Sequence, residues 1–150
     1  MLYKTVQLEE LPYRPDSCTL FERIRDLPAA LLLDSGRPGS VQGRYDILMA
    51  DPLESLTDAQ SNSTTYDDIE KYFAEIVKVH SSFSEGLVTA TEEIPFCGGM
   101  AGYLDYDFGN PLQYLSASDH SEAQLHFYAW AIIQDHLLQR CTLVSLPVLS

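Results

Sequence analysis

The sequence predicts an α+β protein, a mostly antiparallel β-sheet covered by two main helices. Short apolar and aromatic runs recur between clusters of glycine, proline and aspartate, which is strand-and-turn patterning. Two segments instead place apolar residues at helical spacing. The 150 residues are 45% hydrophobic and 21% charged, a globular composition in which a chain of this size buries roughly 70% of its unfolded surface.

The first helix is expected over Thr19–Leu27. Leu20, Phe21, Ile24 and Leu27 share a face, Thr19 and Glu22 have capping-box spacing, and Pro28 stops the run. Ala29–Leu33 reads as a buried strand, followed by turn chemistry from Asp34 to Gly39. Tyr45–Ala50 is a second strand ended by Asp51-Pro52, and Leu53–Thr57 continues as a third. Ala59–Thr65 is polar and reads as a loop. The second helix, Tyr66–Val79, has the clearest periodicity, with Ile69, Tyr72, Phe73, Ile76 and Val77 on one stripe. Thr65 is its expected cap, Asp67 and Asp68 suit its positive end, and Glu70, Lys71, Glu75 and Lys78 form a solvated face. Beyond it, Ile94–Cys97 and Ala101–Tyr106 flank Gly98-Gly99. Leu125–Ile133 reads as one long strand, turning at Asp135-His136 into a hairpin partner over Leu138–Leu146. That last strand nearly reaches residue 150, so the expectation is a boundary within a larger protein.

Acids outnumber bases 22 to 9, for a net charge of −13. Such a surface repels phosphate backbones and anionic membranes, which removes nucleic acid and lipid surfaces as partners. The eight acids between Lys78 and Arg140 have no basic residue among them. No apolar run approaches the ~20 residues that span a bilayer, and no signal core follows Met1. Cys18, Cys97 and Cys141 lack paired spacing and are expected to be buried reduced thiols, consistent with a cytoplasmic setting. His80, His120, His126 and His136 form no metal-binding pattern.

Asp105 and Asp107, two apart on an expected strand, would share a face and could form an acid–base pair, although an acidic strand edge explains them more simply. Gly98-Gly99-Met100-Ala101-Gly102 lacks the Lys-Ser/Thr of a phosphate loop and reads as a close backbone approach or bulge. Ser35 lacks a nucleophile elbow. From the residues alone no complete catalytic site emerges.

Three segments taken together carry a resemblance: Ala29–Gly36 (AALLLDSG), Gly43–Pro52 (GRYDILMADP) and Pro95–Asp107 (PFCGGMAGYLDYD). In this order they resemble the N-terminal domain of the anthranilate synthase component I family, the chorismate-using enzymes. Asp34-Ser35-Gly36 and Arg44-Tyr45-Asp46 are more similar to the aminobenzoate branch than to the anthranilate branch. The resemblance implies one N-terminal domain over residues 1–150, with the C-terminal chorismate-binding domain and its Mg²⁺ site absent. It implies part of an enzyme that converts chorismate and glutamine-derived ammonia to 4-amino-4-deoxychorismate in folate biosynthesis, inactive alone and without a cofactor of its own. Implied partners are its own C-terminal domain and a glutamine amidotransferase subunit (component II). Carried over from the family, Leu33 would wall a tryptophan-like ligand, Ser35 would contact its polar end and Asp46 would accept from its ammonium. The alternatives are the anthranilate branch of tryptophan biosynthesis, a free-standing acidic amino-acid-sensing module, or a small hydrolase built on Asp105 and Asp107.

Overall fold

The polar residues Asp46 and Gln134 each interrupt an apolar strand, and the architecture places them side by side at its centre. In the computed structural model, residues 6–37, 39, 41–57, 66–79, 94–105 and 123–146 are described. The elements follow the order β1 (Gln7–Leu11), α1 (Ser17–Phe21), β2 (Leu31–Leu33), β3 (Tyr45–Met49), β4 (Glu54–Thr57), α2 (Tyr66–Val79), β5 (Gly99–Leu104), β6 (Ala123–Tyr128), β7 (Trp130–Asp135) and β8 (Arg140–Ser145). They form two antiparallel sheets, one of order β1-β8-β7-β3-β2 and one of order β4-β6-β5. The α+β expectation holds, with two sheets in place of one.

In the larger sheet the pleat sends alternate residues to opposite faces. Leu32, Leu48, Ile132 and Leu143 pack with Leu20, Phe21 and Ile24 of the α1 region. On the other face, Ile133 and Val144 pack with Ile47 and Cys97. Met49, Ala131 and Leu31 meet Tyr128, Phe96 and Ala101, which joins the two sheets. In the smaller sheet Phe127 and Met100 receive Tyr72 and Ile76 of α2. The expected α2 stripe is thus used, and Glu70, Lys71 and Glu75 are exposed as the pattern requires. Phe73, also on that stripe, is nearly half exposed. Thr65 and the Ala59–Thr65 loop lie outside the described residues.

Several boundaries move, each for a local reason. The first helix begins at Ser17, two residues early, because Asp16 is its N-cap. Asp16 accepts from the Cys18 N–H at 3.0 Å and the Thr19 hydroxyl at 2.8 Å. Regular helix ends at Phe21, and single turns carry the chain on to Leu27. Glu22, read as a capping partner, is instead paired with Arg25 at 2.8 Å. The strand expected over Ala29–Leu33 starts at Leu31, since Ala29 has φ +46° and its carbonyl accepts from the Tyr128 hydroxyl at 2.7 Å. Ile94–Cys97 is irregular, and the glycine-rich segment itself forms the strand, β5. The expected long strand Leu125–Ile133 breaks at Ala129, and its halves belong to different sheets. The Ala129 carbonyl there accepts from the Leu146 N–H at 2.7 Å. β1, unforeseen, pairs with β8 in register Gln7↔Ser145 to Leu11↔Cys141.

The β7–β8 hairpin forms as expected, but its loop extends through Gln139, so the return strand starts at Arg140 and not at Leu138. The Asp135 carboxylate accepts from the Leu137 and Leu138 N–H groups at 2.9 and 3.0 Å. Gln139 closes the loop at φ +52°, where a Cβ costs roughly 1 kcal/mol. Gln139→Gly is therefore expected to raise stability by a few tenths to ~1 kcal/mol, measured by urea unfolding. An unchanged or lower midpoint would show that this backbone is not strained. Cys97 and Cys141 are buried, as expected, and burial raises both thiol pKa values. Cys18 departs from the expectation and is exposed.

Candidate functional site

Asp46 lies on β3 directly opposite Gln134 of β7. Both strands are central, so both side chains are buried, Asp46 to 2% exposure. A buried carboxylate needs donors, because an unpaired charge in low dielectric is very costly. Four converge on it. The Ser35 N–H and the Ser35 hydroxyl both reach Oδ1 at 2.8 Å. The Ser17 hydroxyl reaches Oδ2 at 2.5 Å, and His136 Nε2 lies 2.8 Å from the same oxygen.

An ionised carboxylate only accepts, so the direction of each contact made to Asp46 follows. Both serine hydroxyls donate to Asp46, and His136 carries a proton on Nε2. Its Nδ1 lies 2.9 Å from the Tyr13 hydroxyl. Ser17 Oγ, having donated, accepts from Gln134 Nε2 at 2.8 Å, and Gln134 Oε1 accepts from the Arg14 N–H at 3.1 Å. One carboxylate thus ties the β1–α1 link, the start of α1, the β2–β3 loop and the β7–β8 turn together. Beside it, Arg44 makes a forked contact to Asp135, with its shortest distance 2.7 Å, and stands over the Tyr45 ring at 4.6 Å.

The β2–β3 loop is held to this hub. Asp34 accepts from the Gly36 N–H at 2.6 Å, and Arg37 donates to the carbonyls of Gly43 and Val41. Gly43 passes so close to Ser35 that a Cβ there would lie 2.4 Å from its carbonyl oxygen and 2.8 Å from Oγ. Only glycine fits against the serine.

Of the three residues named from the resemblance, Ser35 and Asp46 come together. Leu33 does not join them. It pairs with Ile47, whose side chain faces away from Asp46 across the sheet, and it is 43% exposed on the edge strand β2. Ser17, His136, Gln134 and Tyr13 were not foreseen. Asp105 lies just past the end of β5, whereas Asp107, His80 and His120 lie outside the described residues. No group of three His, Cys, Asp or Glu side chains is placed to hold a metal among the described residues. No helix among them is long and apolar enough to cross a membrane.

Burial alone would raise the Asp46 pKa, but the donors from Ser17, Ser35 and His136 outweigh it and lower it below 3.8. At Asp135 burial is likewise outweighed, by Arg44 and the loop N–H groups. Groups with depressed folded pKa values contribute stability above the unfolded pKa, and that contribution is lost as pH falls through the folded one. The melting temperature is therefore expected to fall below pH 4, and less steeply in Asp46→Asn and Asp135→Asn. His126, whose pKa burial lowers from 6.5, adds a shallower loss beginning nearer neutrality. Melting curves from pH 7 to 3 would test this, and identical slopes in all three proteins would contradict it.

In the order of its three motif segments the chain is similar to the component I chorismate enzymes. No family model matches the chain. It does match aminodeoxychorismate synthase component 1 of Salmonella typhimurium, at 31% identity over 153 residues. The same protein from Escherichia coli is 29% identical and that from Klebsiella aerogenes 28% identical. Each match covers 90% of this chain and 32% of the relative, so the chain spans about a third of the length of these relatives. That coverage is consistent with an N-terminal portion. The resemblance carried by the three segments thus holds, and the relatives matched are of the aminobenzoate branch.

Proposed function

We propose that these 150 residues act as one N-terminal domain of an aminodeoxychorismate synthase component I, within a protein that aminates chorismate for folate biosynthesis. The carrying observation is the match over 90% of the chain to three proteins of that name. The domain scaffolds the rest of the enzyme. Its partners are the chorismate-binding portion, which holds the Mg²⁺ and the reacting groups, and the glutamine amidotransferase subunit that delivers ammonia. The setting is cytoplasmic. The β2 edge holds a tryptophan-like amino acid, with Leu33 at the rim, Ser35 as polar contact and Asp46 fixed behind Ser35. Because four donors already occupy Asp46, this reading places the ligand's polar end on the serine.

The experiment is a chimera in which this chain replaces the matched third of the Salmonella relative. The expected outcome is restored amination of chorismate by the chimera and none by the chain alone. A well-folded but inactive chimera, or turnover by the isolated chain, would overturn the proposal.

A further inference from the structure

Tyr13, His136 and Asp46 stand in line. Asp46 Oδ2 lies 2.8 Å from His136 Nε2, and His136 Nδ1 lies 2.9 Å from the Tyr13 hydroxyl. The Asp46 and His136 side chains are 3% and 4% exposed, whereas Tyr13 is half-buried, so Tyr13 is the member of the three that reaches the surface. Each is held in place. The His136 N–H donates to the Arg44 carbonyl at 2.8 Å, and the Arg14 N–H, one residue from Tyr13, donates to Gln134 Oε1 at 3.1 Å. The Tyr13 ring packs against the Leu48, Ile132 and Cys141 cluster and meets the imidazole edge-on, with ring centroids 5.9 Å apart. Asp135, beside His136 in the chain, does not compete for the imidazole, because Arg44 and the Leu137 and Leu138 N–H groups already occupy its carboxylate.

Asp46 dictates what the imidazole can do. A carboxylate only accepts, so the Nε2 proton stays between the two and Nδ1 is the nitrogen that gains or loses one. In the neutral ring Nδ1 is a lone pair aimed at the phenol, and Tyr13 donates to it. Should that proton cross, the imidazolium formed lies against a full negative charge, since Ser17 and Ser35 donate to Asp46 without neutralising it. A carboxylate that orients an imidazole whose other nitrogen faces a hydroxyl is the arrangement that activates a nucleophile.

We propose that Tyr13 is an activated phenol and a site of covalent acylation, with His136 as its base and Asp46 as a positioning residue. Tyr13 Oη attacks the carbonyl carbon of an activated acyl group while His136 Nδ1 takes the phenolic proton. The bond from that carbon to its leaving group breaks, and the leaving group departs with the proton from Nδ1. Tyr13 is left as an aryl ester and His136 is neutral again.

N-acetylimidazole, whose leaving group is imidazole, is the probe, and peptide mass spectrometry of the full chain after brief exposure at neutral pH reads each tyrosine separately. Tyr13 is expected to be acetylated at least about tenfold faster than Tyr103, a modest share of what a positioned base supplies, although Tyr103 is 50% exposed. His136→Gln keeps a donor for Asp46 but removes the base, and there the Tyr13 rate is expected to fall to that of Tyr103 or below. Asp46→Asn, which cannot offset an imidazolium, should lie between. A contact that only holds the fold gives the opposite sign, because loosening it uncovers Tyr13 and speeds its labelling. A thermal melt checks that each variant folds, and the comparison of Tyr13 with Tyr103 in the unaltered chain stands without them. Tyr13 reacting no faster than Tyr103, or reacting equally fast or faster in His136→Gln, would overturn the proposal.

Discussion

Asp46→Ala is expected to cost ~3–5 kcal/mol, because it removes one partner from a buried charged network and strands the others. The Ser35 N–H, two serine hydroxyls and His136 all lose their acceptor at once. At 2–4 °C per kcal/mol, the melting temperature should fall on the order of 10 °C. The loss should be cooperative across the fold, since the hub joins segments up to 123 residues apart. Asp46→Asn keeps the shape and one acceptor and should lose less. A shift of only a degree or two in the alanine variant, read by calorimetry, would mean that the donors find water and that the hub does not bind these segments together.

Gly102→Ala is expected to cost about 3 kcal/mol or more, by a different mechanism. A Cβ on Gly102 would sit 1.9 Å from the Gln124 carbonyl oxygen of the neighbouring strand. That obstacle is backbone, so no rotamer change relieves it, and β5 and β6 must separate over the six-pair register from Gly99↔Tyr128 to Leu104↔Ala123. Overpacking of this kind usually costs 1–3 kcal/mol even where side chains can yield. Gly39→Ala is the natural control, because its nearest backbone atom would be 3.3 Å away. Urea midpoints of the two variants should differ clearly. Equal midpoints would show that β5 can move off β6 at little cost.

The parts of the fold legible in the sequence are those whose period or punctuation is local. The α2 stripe, β3 ended by Asp51-Pro52 and the β7–β8 hairpin all announce themselves within a few residues. The missed features depend on distant partners. β1 is QLEEL, mostly exposed and carrying two acids, and only its pairing with β8 makes it a strand. The break at Ala129 carries neither glycine nor proline, and the residues from Phe127 to Ala129 and from Ala131 to Asp135 are buried, so no alternation marks it. Thr19 has the capping-box spacing to Glu22, but Asp16, three residues earlier, has the N-cap geometry.

The site divides in the same way. Ser35 and Asp46 were legible through the three motif segments, whereas Ser17, Gln134, His136 and Tyr13 were not. One local signal was available. Asp46 sits inside an apolar strand and Gln134 follows Ile132-Ile133, and a polar residue in a buried run requires a buried partner. Recognising that the two oppose each other takes the register of β3 on β7, which no local pattern supplies. Leu33 and Ser35 are two apart, a spacing that would share a face in a continued strand, but β2 ends at Leu33, which pairs with Ile47 and not with Asp46, so closeness in sequence misleads there.

The central claim is that Asp46 is an acceptor held ionised to lower pH than an ordinary aspartate, with its neighbours' protons directed at it. Carbon-detected NMR titration of its side-chain carboxyl measures this directly. The account predicts a midpoint below 3.8, with the Ser35 amide and His136 ring signals shifting in the same step. A midpoint above 3.8, or neighbours indifferent to the titration, would contradict it.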